Sequence, residues 1–153
     1  MRSADTASAA PPRVECRLEA VPPLTAGGPV AVRLTLVNPS DSPVWALAWN
    51  TPFESRWKGT VFELSRDGAE VSYSGPLTKR GDPTREEYVE VPARGQAEAT
   101  ADLSLVYDLQ PGAYRLRVTG GLADLAADPV SLPRPRERHE AAALSCPDVE
   151  FEL

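Results

Sequence analysis

Histidine is all but missing: His139 is the only one in 153 residues. Ser-His-Asp and Cys-His catalysis would both have to run through that single ring. His139-Glu140-Ala141-Ala142-Ala143 opens like a zinc-protease helix, but Ala143 stands where the second histidine ligand would have to be. Cysteine is equally scarce, Cys16 and Cys146 only, with no Cys-x-x-Cys pair. No metal site and no cofactor is expected from this inventory, and no glycine-rich phosphate loop or dinucleotide fingerprint is present. No apolar run reaches the roughly 18 residues of a membrane-spanning helix, so no membrane role is expected. No long Lys/Arg run exists either, and a net charge of -6 repels phosphate backbones, which excludes nucleic acid as a partner. Arg134, Arg136 and Arg138, spaced by Pro135 and Glu137, read as a solvated linker, and His139 beside them as an exposed residue.

What is present is period-two patterning. Val14, Cys16 and Leu18 alternate with Arg13, Glu15, Arg17 and Glu19, and Val30, Val32, Leu34 and Leu36 form one side of the strongest strand. Asn38 to Pro43 is dense in turn formers. Val44 to Trp49 re-enters as a strand, and Arg66-Asp67-Gly68 between Thr60–Leu64 and Glu70–Tyr73 predicts a tight hairpin. Four more alternating stretches follow, Glu87–Val91, Ala97–Leu103, Ala113–Thr119 and Val149–Leu153, with one helical turn at Leu103–Tyr107. Turn signals recur about every 8–12 residues, the signature of an all-β, antiparallel, immunoglobulin-like β-sandwich of about 7–9 strands.

The domain is expected over residues 13–153, with a long irregular connection and a short helix at about 121–146. Residues 1–12 read as a disordered leader without the Leu/Val/Phe-rich segment of a secretory signal. That places the chain in the cytoplasm, or in a secreted or periplasmic setting if a leader has been removed. In a reducing cytosol Cys16 and Cys146 read as two half-buried thiols. The alternative is a bridge, closing a loop of about 130 residues and contributing at most about 5 kcal/mol.

Glu86-Glu87 and Glu150/Glu152 are paired carboxylates, which read as outward-facing strand residues rather than a hydrolytic pair. Arg80-Gly81-Asp82 matches an adhesion tripeptide too short to carry weight. The segment Trp49-Asn50-Thr51-Pro52-Phe53-Glu54-Ser55-Arg56-Trp57 is different, for three large aromatics and a proline gather in a strand end and a loop. Loop aromatics on rigid β scaffolds serve as binding anchors. The competing reading is that Trp49 and Phe53 plug the end of the core, with Trp57 the more exposed.

Leu34 to Val44, Trp49 to Glu54, Phe62 to Gly75, Lys79-Arg80-Gly81-Asp82-Pro83 and Ala101 to Leu109 together resemble a known family. They are similar to the non-catalytic N-terminal region of bacterial peptidyl-Lys metalloendopeptidases of the deuterolysin (aspzincin) type. Asn50-Thr51-Pro52-Phe53-Glu54 is the most specific word. In such proteases a zinc domain with His-Glu-x-x-His follows; the sequence to Leu153 has none, so the resemblance carries no protease activity over. It implies an immunoglobulin-like, propeptide-like module without catalysis. Such a module would bind a protein, as inhibitor or folding partner of a zinc metalloprotease. The candidate partner-binding residues are Trp49, Asn50, Thr51, Pro52, Phe53, Glu54, Trp57, Lys79 and Arg80. The alternative is a general interaction module that pairs through an edge strand, Val149 to Leu153 being suited to it. An enzyme would need an unforeseen carboxylate site.

Overall fold

The computed structural model describes residues 11–153. Apart from Pro11 and Pro12, the expected leader lies outside the described residues. The strands are β1 (Glu15–Val21), β2 (Ala31–Val37), β3 (Val44–Leu47), β4 (Phe62–Arg66), β5 (Ala69–Val71), β6 (Tyr88–Val91), β7 (Gln96–Asp102), β8 (Ala113–Val118), β9 (Gly121–Leu122), β10 (Leu125–Ala126), β11 (Ala142–Ala143) and β12 (Val149–Glu152). Nine of them have three or more residues, as the turn spacing predicts; β9, β10 and β11 have two each.

Two layers face one another. One holds β1-β2-β7 and the shorter β10-β3-β6; the other is the four-stranded β12-β8-β4-β5, and β9 pairs with β11. Every pairing is antiparallel, and β2 sits in the middle of its sheet with all seven residues in register on both sides. That position suits the strongest apolar alternation in the chain. Because side chains alternate across a strand, Cys16 and Leu18 of β1 and Val32, Leu34 and Leu36 of β2 point inward together. They meet Phe62 and Leu64 of β4, Tyr114 and Leu116 of β8 and Phe151 of β12 in one cluster. Leu34, Leu36 and Leu116 are wholly buried, and each such side chain contributes on the order of 2 kcal/mol of transfer free energy. The opposite faces carry Glu15, Arg17 and Glu19 on β1 and Arg115 and Arg117 on β8, all exposed.

Turn chemistry fixes the register. Asp67 and Gly68 both take positive φ (49° and 85°), the backbone a two-residue hairpin needs between β4 and β5. Asn38 is fully buried, and its Nδ2 donates to the carbonyls of Ser42 and Val91 while its Oδ1 accepts from the Ser40 amide and hydroxyl. The whole Asn38–Pro43 turn is thereby wired to β6.

The thiol reading of the cysteines is overturned: Cys16 and Cys146 form a disulfide, with Cα atoms 4.8 Å apart. The physical reason is topological. β1 and β12 are edge strands of opposite sheets, so the two ends of the chain come together although 130 positions separate the cysteines.

The 121–146 connection is long but not loose. The Ala-rich run expected to form a short helix supplies β11 instead, which pairs Ala142 with Leu122 and Ala143 with Gly121. Single 3-10 turns occupy Pro129–Ser131 and Arg136–Arg138, the first capped by the Asp128 carboxylate accepting from the Val130 amide. Leu103–Leu105 is the expected helical turn, likewise capped by Asp102.

Candidate functional site

The aromatic loop begins where β3 ends. Thr51 turns its hydroxyl back to donate to the Ala48 carbonyl at 2.6 Å and accepts from the Phe53 amide. Asn50 sits at φ 65°, a conformation asparagine tolerates better than most side chains. Glu54 bonds back to the Asn50 amide at 2.7 Å. The loop is thus closed by its own polar groups.

Arg80 locks it from outside. Its two terminal nitrogens reach the two Glu54 oxygens at 2.8 and 2.7 Å, a bidentate pair, and Nη2 also donates to Asn50 Oδ1 at 3.0 Å. The guanidinium lies 5.0 Å from the centre of the Trp49 ring, within cation–π range. Both charges are largely shielded, with 12% and 7% of the side chains exposed. The Trp49 indole in turn donates to Glu87 at 3.0 Å. Burial pushes the Glu87 carboxyl up, but the Thr84 amide, the Trp49 indole and Arg80 outweigh it and hold it below the usual carboxylate range.

The candidate residues therefore divide. Trp49, Thr51 and Pro52 are buried; Asn50, Phe53, Glu54, Trp57 and Arg80 are half-buried; Lys79 is exposed, as are Ser55 and Arg56 at the loop tip. Phe53 and Trp57 pack against the main core, while Trp49 joins a satellite cluster with Leu47 and Tyr88. Trp57 stands beside Phe62, Tyr73 and Tyr107, and its indole donates to the Asp102 carbonyl at 3.1 Å. The structure brings Trp49, Asn50, Glu54 and Arg80 into one contact set, and leaves Lys79 outside it.

A second polar knot lies beside the first, where the sequence suggested a solvated linker. Asp124 is fully buried. It accepts from Arg134 through both oxygens, from Tyr88 at 2.6 Å and from the Glu140 amide at 2.8 Å. Burial drives the Asp124 carboxyl upward; Arg134, Tyr88 and the Glu140 amide overcome that and leave it below the ordinary range. Tyr88 moves the other way, its hydroxyl raised by burial and by donation to Asp124.

Two expectations are corrected here. Arg134 is no linker residue but the half-buried partner of Asp124, and Arg136 ties down the neighbouring loop through the Arg80 carbonyl at 2.7 Å and Asp82 at 2.9 Å. His139 is half-buried, edge-on to Trp49 with centroids 5.6 Å apart, its Nε2 at 2.9 Å from the Arg134 carbonyl. The signal for Asp124 was legible, since it is a lone charge inside the apolar run Leu122 to Ala126. A charge in that setting is buried only with a partner.

Among the described residues, no three His, Cys, Asp or Glu side chains gather as a metal-binding group. A concavity of about 760 Å3 forms an open trough over the outer face of β4, β8 and β12. Arg115 and Arg117 there face Glu150 and Glu63, at 2.6 and 3.5 Å.

An antiparallel β-sandwich with a wired aromatic loop defines a scaffold class rather than a chemistry. Comparison with known proteins adds a relation to proteases. The chain is 35% identical to an extracellular protease of Aeromonas hydrophila over 89 residues, 58% of this chain and 25% of that protein. Two neutral protease 2 homologs of Arthroderma gypseum are 29% and 28% identical over 102 and 107 residues, 65% and 69% of this chain and 27% and 28% of theirs. The chain thus spans about a quarter of the length of the curated relatives it matches. No family model matches it.

Proposed function

We propose that this chain is a non-catalytic, prodomain-like protein-binding module whose partner is a zinc metalloprotease, which it inhibits or helps to fold. The observation that carries the reading is the restricted match. A domain-sized stretch of this chain corresponds to about a quarter of each protease and leaves most of their length without a counterpart. The Cys16–Cys146 disulfide supports a secreted or periplasmic setting, since such bridges persist in oxidising compartments. An immunoglobulin-like assignment within the sandwich class is supported by Tyr114 at the start of β8, whose hydroxyl donates to the Gln110 carbonyl four residues upstream. The partner would contact the exposed tips Ser55, Arg56 and Lys79, with the shielded Trp49–Glu54–Arg80 core holding them in shape.

The test is to refold a related protease, such as the Aeromonas enzyme, with and without this chain, and to titrate the chain into the mature enzyme. The expected outcome is a raised yield of active enzyme or saturable inhibition, weakened by Arg56→Glu combined with Lys79→Glu. Neither effect at a large molar excess of the chain would sink the reading.

A further inference from the structure

Among the described residues no strand pairs with the outer edge of β7. It pairs with β2 over all seven residues from Gln96 to Asp102, at the end of its sheet. β1, at the sheet's other end, is tied through the Cys16–Cys146 bridge to the segment that leads into β12. β5 and β12, the edges of the other sheet, have three and four residues.

The direction of the free backbone groups follows from the ladder. Leu103 N–H donates to the Val30 carbonyl at 2.8 Å and Asn38 N–H to the Gly95 carbonyl at 2.9 Å. Both pairs lie in the β2–β7 register, and antiparallel pairing alternates. The amides and carbonyls of Ala97, Ala99 and Ala101 therefore face β2, and those of Gln96, Glu98, Thr100 and Asp102 face outward. The Trp57 indole caps the Asp102 carbonyl. Glu98 and Thr100 have no backbone partner outside the sheet among the described residues.

Natural sheets guard such edges with charges, lysine above all, with proline or with a bulge. β7 has no lysine, proline or bulge, its charges being the acids Glu98 and Asp102: its sequence is Gln-Ala-Glu-Ala-Thr-Ala-Asp and its register is unbroken. The inward alanines are half-exposed, which leaves the side of the sandwich thinly covered. At the far end a cleft of about 300 Å3 opens between the strand and the aromatic loop, lined by Ala101 and Leu105 on one side and Pro52 and Trp57 on the other.

We infer that β7 is a docking edge that takes an extended, basic segment of a partner chain as an added strand. The inference rests on the reading of this chain as a protein-binding module and names the surface that module uses. Charge selects the occupant. Across the outer face Arg17 lies opposite Thr35 and Thr35 opposite Glu98, so the next position in that row favours Lys or Arg. A second copy is a poor occupant, because β7 carries two acids and no base, and the whole chain is at -6. Apolar residues of the added strand would cover the alanine side, and its end would enter the cleft beside Trp57.

The probe is an N-acetylated, C-amidated octapeptide of alternating valine and lysine. Affinity is followed by fluorescence anisotropy, and occupancy by amide hydrogen exchange. Expected are slowed exchange at Glu98 and Thr100 and binding at least about tenfold weaker for Thr100→Pro, which removes an outward N–H and loses no bond of the fold. Glu98→Lys should weaken binding about threefold. If Thr100→Pro fails to fold, Glu98→Lys and a peptide N-methylated at alternate amides decide. Equal binding of the N-methylated peptide, or protection at β5 or β12 instead, overturns the inference. So does protection of β7 that rises with protein concentration alone, which would identify a second copy as the occupant. A Thr100→Pro protein that still inhibits or refolds the protease as the wild type does removes the docking edge and leaves the proposed function standing. A wild type without effect on the protease removes the proposed function itself.

Discussion

Opening the Cys16–Cys146 disulfide should remove as much stability as the most damaging single side-chain changes in this domain. The bridge joins residues 130 positions apart, so it constrains almost the whole unfolded chain. In the loop-entropy description a closed loop of this size costs the denatured state about 17 cal/mol/K, or about 5 kcal/mol at room temperature. That is a large part of the roughly 5–15 kcal/mol by which a domain is stable. The assay is equilibrium urea unfolding of the oxidised protein, of the same protein reduced, and of Cys16→Ala/Cys146→Ala. With a denaturant slope of about 2 kcal/mol per molar, the midpoint should fall by about 2–3 M in both cases. The slope should also rise, because a chain freed of its cross-link exposes more surface when unfolded. Cys16 is 5% exposed, so the alanine pair also loses buried sulfur, and the reduced wild type isolates the cross-link alone. A midpoint that moves by less than about 0.5 M on reduction would refute the reasoning, since the constraint would then lie on contacts and not on the unfolded chain.

Arg134→Met leaves Asp124 buried with Tyr88 and the Glu140 amide as its remaining donors; the expected loss is about 3–5 kcal/mol, read as a fall in melting temperature of about 10 °C or more. Arg80→Met leaves Glu54 with the Asn50 amide as its remaining donor and removes the cation from the Trp49 face, so about 3 kcal/mol should be lost together with a change in Trp49 fluorescence, and an unaltered emission spectrum would count against the contact. The carboxyls of Asp124, Asp102 and Glu87 are held below their usual range, burial being outweighed in each by donated hydrogen bonds. Their contribution is complete above the unfolded carboxylate pKa of about 4 and is lost as pH falls through the folded values. Urea midpoints should therefore drop between about pH 5 and 2, with a shallower slope in Asp124→Asn; a flat wild-type profile would contradict the assignment.

The sandwich was readable because its signals are local. Alternation in Val30 to Val37 needs no partner to reveal a strand, and Asp67-Gly68 sets a hairpin through its own backbone preference. What escaped was set at long range. The cysteines become neighbours only once β1 and β12 close the two sheets, and the compartment argument that favoured free thiols works on chemistry and not on geometry. Arg134 sits in a proline- and charge-rich segment that looks solvated on composition, and its role appears only when Asp124, the residue before β10, is brought against it. The aromatic loop was found, but whether its side chains face the solvent depended on Arg80, 26 positions beyond Glu54.

These corrections alter what a partner can touch. The residues first marked as anchors are bound into the molecule: Trp49 is held by Glu87, Arg80 and His139, and Trp57 by the Asp102 carbonyl and three aromatic neighbours. Pulling either out to serve as a contact would strip a half-buried charge or an edge carbonyl of its partner, at about 1–3 kcal/mol for each group left unsatisfied. A binding surface built on such residues works as a preformed shape, contributing rigidity while neighbouring groups make the contact. The Trp57 indole caps the carbonyl of Asp102, the last residue of β7, so the wired loop and the open strand form one continuous feature. The loop fixes the end of the groove, and the strand offers the unpaired amides that an incoming backbone requires.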